Sequence, residues 1–154
     1  MKTAEQQRRE LTATEHDRLD RLFSERIEQC LDSGQGACHL ARAEIADLVV
    51  AALQHFDGTR YRLLTWCVMP NHVHVVFRPA PEHGLAGILH SWKSFTAKRA
   101  NRILRKSGEF WQREYYDHLV RDEQDLQRIA HYVMENPARA GLKDWKWVWQ
   151  HPSQ

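Results

Sequence analysis

Apolar side chains recur at helical spacing in several stretches of the chain, and polar or turn-forming residues bound each stretch. Because side chains three or four positions apart share one helix face, this pattern predicts helices over 14–31, 41–56, 85–105 and from about 122 onward. Asp122 is a typical N-cap for the last helix, with Asp125 at the third position after it. Pro137 is expected to end that helix, since proline lacks the backbone N–H that a helix interior needs.

Short stretches rich in aromatic and β-branched residues lie between the predicted helices. They predict strands over 61–68, 72–77 and 110–120, and residues 69–71 form a turn between the first two. Helices and short strands mixed in this way predict an α+β fold, in which helices cover an antiparallel sheet. The length of 154 residues suits a single domain over 1–154, with residues 1–13 flexible.

Composition and charge place only broad limits on function. The formal net charge is +2, so the overall charge alone does not indicate a nucleic-acid partner. No apolar run approaches the roughly 20 residues that cross a bilayer, and the polar first residues are unlike a secretory leader. We therefore expect a cytoplasmic protein with no membrane partner. The cysteines Cys30, Cys38 and Cys67 are expected to be reduced and packed, since their spacing fits neither a disulfide framework nor a zinc ribbon.

The sharpest local pattern is the strict alternation from His72 to Phe77. Strand side chains alternate between faces, so His72 and His74 would share one face, about 7 Å apart at about 3.3 Å per residue. Val73, Val75 and Phe77 would then face the core. Two neutral imidazoles so placed can both reach one divalent ion. The alternative is a pair of half-buried histidines on a sheet face, and a metal would in any case need a third ligand.

Tyr132 and Asn136 lie four positions apart in the last predicted helix and so share a face beside its apolar stripe. Tyrosine can act as a covalent nucleophile, and a carboxamide oxygen one turn later can bind a hard cation. The alternative is a boundary tyrosine whose ring packs on the sheet.

The helix predicted over 85–105 has both an apolar and a basic face. Its buried stripe is expected to comprise Leu85, Ile88, Leu89, Trp92, Phe95 and Ile103. Lys98, Arg102 and Arg105 follow each other on another face, and Lys93, Arg99 and Lys106 lie nearby. Such a face suits a phosphate backbone, although basic helix faces also occur simply as solvated surfaces.

Three ordered segments together resemble the REP-associated tyrosine transposases, a single-tyrosine His-x-His family. The segments are 66–75, then 110–117 with 121–123, and finally 132–142, and the similarity extends over about 56–149. The resemblance implies that His72, His74 and Asn136 bind a divalent metal, Mg²⁺ or Mn²⁺, and that Tyr132 is the nucleophile. It implies a transposase that nicks and rejoins single-stranded or hairpin DNA through a 5′-phosphotyrosine link. We expect the DNA to contact Lys93, Lys98, Arg99, Arg102, Arg105, Arg113 and Arg121.

One departure from the family concerns the start of the chain. Members usually open with a strand beside the histidine strand, whereas residues 1–18 are polar here. The sequence therefore predicts that the opening strand is absent and that the sheet has an exposed edge, which a second copy could cover in a homodimer. The alternative function is then a truncated or domesticated DNA-binding protein without cleavage activity.

The histidine strand also resembles, superficially, the motif of histidine-triad nucleotide hydrolases. Such an enzyme needs a third alternating histidine as part of its nucleophile-and-base set. The positions two residues before and after the pair hold Pro70 and Val76, which disfavours this reading.

Overall fold

The computed structural model describes residues 23–29 and 38–152. Its strands are β1 (Phe23–Gln29), β2 (Tyr61–Met69), β3 (His72–Pro79), β4 (Trp111–Leu119) and β5 (Val148–Gln150). Its helices are a short 3₁₀ turn (His39–Ala41), α1 (Ala43–His55), α2 (Leu85–Leu104) and α3 (Glu123–Arg139). No helix in the described part of the chain is long and apolar enough to span a membrane.

The strands form one antiparallel sheet in the order β4-β1-β3-β2-β5. Strand β1 lies inside this sheet and pairs with the histidine strand β3 on one side and with β4 on the other. The helix predicted over 14–31 is therefore wrong at Phe23–Gln29. The rest of that range lies outside the described residues, as does the segment 1–13 that was expected to be flexible. Phe23 and Ile27 are four positions apart, a spacing that fits one face of a helix and one face of a strand equally. Pairing with β3 and β4 stabilises the strand.

The presence of β1 also corrects the expectation of a missing opening strand. Because β1 and β2 flank β3, the histidine strand has no exposed edge. A second copy is therefore not needed to cover that edge. The expectation of a truncated, inactive protein also loses its basis, because it depended on the missing strand.

The two faces of the sheet are covered by different helices. Val73, Val75 and Phe77 point to one face and join a core that includes residues of α1 and α2. Val76 points to the other face and packs with Val133 of α3. This alternation follows from the strand period of two, and it confirms the predicted core-facing side chains of β3.

Tyr61, at the start of β2, links the sheet to both α1 and α2. Its hydroxyl donates a hydrogen bond to the Leu53 carbonyl of α1 (2.5 Å) and accepts one from the Trp92 indole of α2 (2.9 Å). Burial raises the pKa of this phenol above its usual range, the Trp92 hydrogen bond opposing the shift. The phenol therefore stays neutral and bridges α1 and α2 as a hydrogen-bonding hydroxyl.

The buried stripe of α2 differs from the predicted one at Phe95, which is 38% exposed. Thr96 and Ala100 are buried in its place. Thr96 accepts a hydrogen bond from the Trp111 indole at 2.7 Å and donates one to the Trp92 carbonyl at 2.7 Å. A hydroxyl fully satisfied in this way can be buried at little cost, and hydrophobicity alone does not foresee it.

Helix α3 begins as predicted but ends later. The Asp122 carboxylate accepts a hydrogen bond from the Asp125 amide (2.7 Å), which satisfies one of the free N–H groups of the first turn. The helix continues through Pro137 to Arg139, so the predicted end is wrong by two residues. Pro137 lies in the last turn, where its missing N–H removes only one helical bond, and its ring is buried.

Removing the cap of α3 should destabilise the protein measurably. We expect Asp122→Ala to lower the free energy of unfolding by about 1 kcal/mol, because the Asp125 amide loses its acceptor. Urea denaturation would measure the change. Asp122→Asn should retain most of the stability, since asparagine also caps helices. An equal loss in both variants would show that the carboxylate charge, rather than the cap, stabilises α3.

The described cysteines divide between core and surface. Cys67 in β2 is buried as predicted, and desolvation raises the pKa of its thiol to about 12. Cys38 is exposed, which corrects the prediction for that residue, while Cys30 lies outside the described residues. At neutral pH the Cys67 side chain is thus a protonated, packed thiol.

Candidate active site

His72 and His74 project from β3 toward the face of the sheet that α3 covers. Both are only 8% exposed, and their ring centroids lie 4.9 Å apart. Both positions alternate with Val73 and Val75, whose side chains fill the opposite core. The two imidazoles therefore form a compact polar pair on the face of β3 that α3 covers.

The orientation of His72 is set by the residue before it. Its Nδ1 lies 2.8 Å from the side-chain oxygen of Asn71, an acceptor, so Nδ1–H donates this bond. In a neutral imidazole the other nitrogen, Nε2, then keeps its lone pair. Metal-binding histidines commonly have one ring nitrogen held by a hydrogen bond in this way.

Tyr132 of α3 lies over the same pair. Its ring centroid is 5.6 Å from that of His74, and the side chain is 43% exposed. The phenol is thus both beside the histidines and open to a large substrate. The structure brings His74 close to both His72 and Tyr132.

Asn136 lies one helical turn after Tyr132 and is half-buried. Its Nδ2 atom is buried and makes no hydrogen bond to the described part of the chain. A half-turn of the carboxamide would exchange this nitrogen for the oxygen, since the two ends of the group are nearly the same size. The side chain is thus free to offer an oxygen ligand.

The donor set of this site fits a divalent cation. Two imidazoles and one carboxamide oxygen would supply three ligands, and water or phosphate oxygens could supply the rest. Among the side chains that the structure describes, no three His, Cys, Asp or Glu residues form a metal cluster, so the third ligand from these side chains would be Asn136. The protonated Cys67 thiol, in register with His74, is a poor ligand.

The chain matches the family model of IS200-like transposases over residues 43–136, which is more than half of its length. It belongs to the IS200-like transposase family. The matched span contains His72, His74, Tyr132 and Asn136.

This IS200-like transposase has curated relatives in Haemophilus influenzae. It is 29% identical over 93 residues to a candidate REP-associated tyrosine transposase, a match that covers 51% of this chain and 53% of the relative. It is 27% identical over 97 residues to an uncharacterised protein, covering 49% of this chain and 54% of that one. The chain thus spans about half the length of the curated relatives it matches, and the resemblance to REP-associated tyrosine transposases is confirmed.

Solved structures share the fold. A REP-associated tyrosine transposase bound to a REP hairpin aligns with a TM-score of 0.61 and 14% identity, covering 82% of this chain and 74% of that one. A candidate transposase from Deinococcus radiodurans aligns with a TM-score of 0.50 and 19% identity, covering 75% of this chain and 88% of that one. The predicted α+β architecture is confirmed.

The basic helix of this transposase does not lie beside the histidine pair. Helix α2 packs on the opposite face of the sheet, where Trp92 contacts Phe77 with ring centroids 4.9 Å apart. Four of the side chains predicted to bind DNA are exposed on α2 or at its C-terminal end. They are Lys98, Arg99, Arg102 and Arg105. The guanidinium of Arg99 stacks 3.7 Å over the exposed Phe95 ring.

The remaining predicted DNA contacts are scattered. Lys93 is half-buried and donates a hydrogen bond to the Gln112 carbonyl (2.8 Å), so its ammonium already has a structural role. Arg121 is exposed just before α3, and its backbone amide donates to the Asp125 carboxylate. The side chain of Arg113 lies outside the described part of the structure.

Sequence reasoning missed Arg139. Its guanidinium lies 5.3 Å from the centroid of the Tyr132 ring. The signal was available, because positions seven apart return to the same helix face after two turns. A cation beside the candidate nucleophile favours the binding of a phosphate at this position.

Proposed function

We propose that this protein is a metal-dependent DNA transesterase that nicks and rejoins single-stranded or hairpin DNA through a covalent link to Tyr132. The observation that carries the proposal is the exposed phenol of Tyr132, whose ring centroid lies 5.6 Å from that of His74. A nucleophile, a candidate cation site and an opening to solvent thus meet at one point on the sheet.

The proposed chemistry is an exchange of phosphodiester bonds. The Tyr132 oxygen, losing its proton, attacks phosphorus, and the bond from phosphorus to the 3′ oxygen breaks. The products are a 5′-phosphotyrosine link and a free 3′ hydroxyl that takes up a proton. Attack by another 3′ hydroxyl reverses the step and releases Tyr132, so no nucleotide cofactor is needed.

Each side chain of the proposed site has a separate role. The side-chain oxygen of Asn71 holds Nδ1 of His72, so that His72 would offer Nε2 to a divalent cation, and Asn136 would offer its carboxamide oxygen. When bound, Mg²⁺ or Mn²⁺ supplies Lewis-acid chemistry that polarises the scissile phosphate and stabilises the departing 3′ oxygen. Arg139 adds a positive charge next to the phenol.

The proposed substrate is DNA with a hairpin and a single-stranded flank. The structural relative bound to a REP hairpin supports this class of substrate. The proposal is tested by incubating the protein with a labelled hairpin oligonucleotide and Mn²⁺ and resolving the products under denaturing conditions. A labelled band at the mass of protein plus DNA is expected, and its absence under all divalent metals would contradict the proposal.

The basic face of α2 should contribute to DNA binding but not to bond exchange. We expect the triple variant of Lys98, Arg102 and Arg105, each to Ala, to weaken binding across DNA sequences. Each lost phosphate contact should flatten the dependence of log affinity on log salt by about 0.7 for single strands. Fluorescence anisotropy over a range of salt concentrations would measure this change.

The fraction of covalent adduct at saturating DNA should not change in this triple variant, because α2 lies on the face opposite Tyr132. A salt dependence equal to that of the unmodified protein would show that this helix face is simply solvated.

A further inference from the structure

The exposed ring of Phe95 lies within the basic face of α2. Lys98, Arg99 and Arg102 follow Phe95 by three, four and seven positions, so all four side chains share one face of the helix, and all are exposed. Two large apolar side chains are exposed in the described part of the chain, and the other one is Tyr132, the proposed nucleophile. An aromatic ring in the middle of a charged helix face is therefore unusual for this protein.

The Phe95 ring is paired with an arginine. The guanidinium carbon of Arg99 lies 3.7 Å above the ring centroid, and the Phe95 side chain nevertheless stays 38% exposed. A cation–π contact of this kind combines a planar apolar surface with a positive charge. Unpaired nucleobases stack on aromatic rings and on guanidinium planes. The Phe95–Arg99 pair thus has the chemistry of a stacking platform for a base.

The charge around this pair favours a nucleic acid over an apolar protein partner. Helix α2 contains no Asp or Glu between Leu85 and Leu104. At about 1.5 Å per residue, Arg102 lies about 10 Å along the helix from Phe95, with Lys98 between them. These two cations can contact the phosphates next to a base that is stacked on the ring. A protein partner would need a larger apolar patch than one ring.

We propose that Phe95 and Arg99 form a stacking site for an unpaired base of the DNA substrate, with Lys98 and Arg102 at the adjoining phosphates. This inference rests on the proposed function, because it names a feature of the same substrate. The base belongs to DNA away from the scissile phosphate, since α2 and Tyr132 lie on opposite faces of the sheet. A base inside a duplex is already paired and stacked, so the site favours DNA with unpaired bases.

The test compares Phe95→Leu with the unmodified protein and with Phe56→Leu. Phe56 is a matched control, because Arg60 lies 3.5 Å over its ring at the same four-residue spacing, but this pair is at the end of α1, next to Asp57. Thermal unfolding first establishes that both variants fold. Fluorescence anisotropy then measures their affinity for two labelled probes, a hairpin with a single-stranded flank and a fully paired duplex.

Phe95→Leu keeps an apolar side chain but loses the flat ring. It should lose about tenfold in affinity for the flanked hairpin, the scale of one lost base stack, and little for the duplex. Phe56→Leu should lose little for either probe. Full affinity of Phe95→Leu for the flanked hairpin would overturn the stacking site. So would an equal loss for both probes, or an equal loss in Phe56→Leu.

The salt dependence separates stacking from charge. Phe95→Leu should leave the slope of log affinity against log salt unchanged, whereas Arg102→Gln should lower it by about 0.7, because only the arginine neutralises a phosphate. Phe95→Trp should retain the affinity for the flanked hairpin, since an indole also stacks on a base. A Phe95→Trp variant that binds as weakly as Phe95→Leu would contradict stacking.

Failure of the stacking site can be told apart from failure of the proposed function. The covalent adduct of the unmodified protein is scored separately, at saturating flanked hairpin with Mn²⁺. An adduct in the unmodified protein together with full affinity in Phe95→Leu overturns the stacking site and supports the function. Weaker binding of the flanked hairpin by Phe95→Leu, with no adduct in the unmodified protein, supports the stacking site as a DNA contact and overturns the function.

Discussion

Tyr132→Phe is expected to abolish the covalent protein–DNA band while DNA affinity stays within about twofold. The substitution removes only the hydroxyl, which is the attacking atom in covalent catalysis by tyrosine. The ring beside His74 remains, so the packing of α3 and the cation over the ring are kept. The measurement is the fraction of labelled hairpin that migrates with the protein under denaturing conditions in the presence of Mn²⁺.

Tyr115→Phe and Tyr116→Phe are the matched controls. Tyr116 is the stronger rival, because β4 places it in register with Arg26, and β1 places Arg26 in register with His74. Both control variants should keep the adduct. A band that survives in Tyr132→Phe and vanishes in Tyr116→Phe would transfer the nucleophile to β4. A peptide map of the trapped adduct would then identify the linked tyrosine directly.

The elements that the sequence predicted well are those whose pattern fits only one structure. The alternation through His72 and Phe77 fits a strand but not a helix, and the Asp122 cap with its apolar stripe fits a helix start. Strand β1 was missed because the spacing of Phe23 and Ile27 fits both structures. Strand β5 is three residues long, too short for any periodicity to reveal it.

The candidate site could be predicted only in part for a similar reason. Strand period and helix spacing place His72 with His74 and Tyr132 with Asn136, but neither can show that α3 lies over β3. The ordered motifs supplied that juxtaposition, and the distance of 5.6 Å between His74 and Tyr132 agrees with it. The face on which α2 packs depends on tertiary packing. A charge pattern along one helix therefore could not show that its basic residues lie away from the site.

Removing the histidine pair is expected to eliminate both Mn²⁺ binding and adduct formation. In His72→Ala/His74→Ala, two of the three proposed ligands are lost, and a lone carboxamide oxygen binds a divalent ion only weakly. Both side chains are buried, so thermal unfolding should first establish that the double variant folds. Isothermal titration calorimetry with Mn²⁺ would then be expected to show no heat of binding.

Graded variants make the assignment of ligands sharper. Asn136→Ala should weaken Mn²⁺ binding without abolishing it, since two imidazoles remain. Asn71→Ala should reduce the affinity by about 10–100-fold, because a partner that orients a ligating histidine contributes on this scale. His90→Ala is the control, since this exposed histidine lies on α2, across the sheet from the pair. Mn²⁺ affinity that is unchanged in the double histidine variant would show that the cation, if the reaction uses one, is held elsewhere. The pair would then be only a buried polar contact beneath Tyr132.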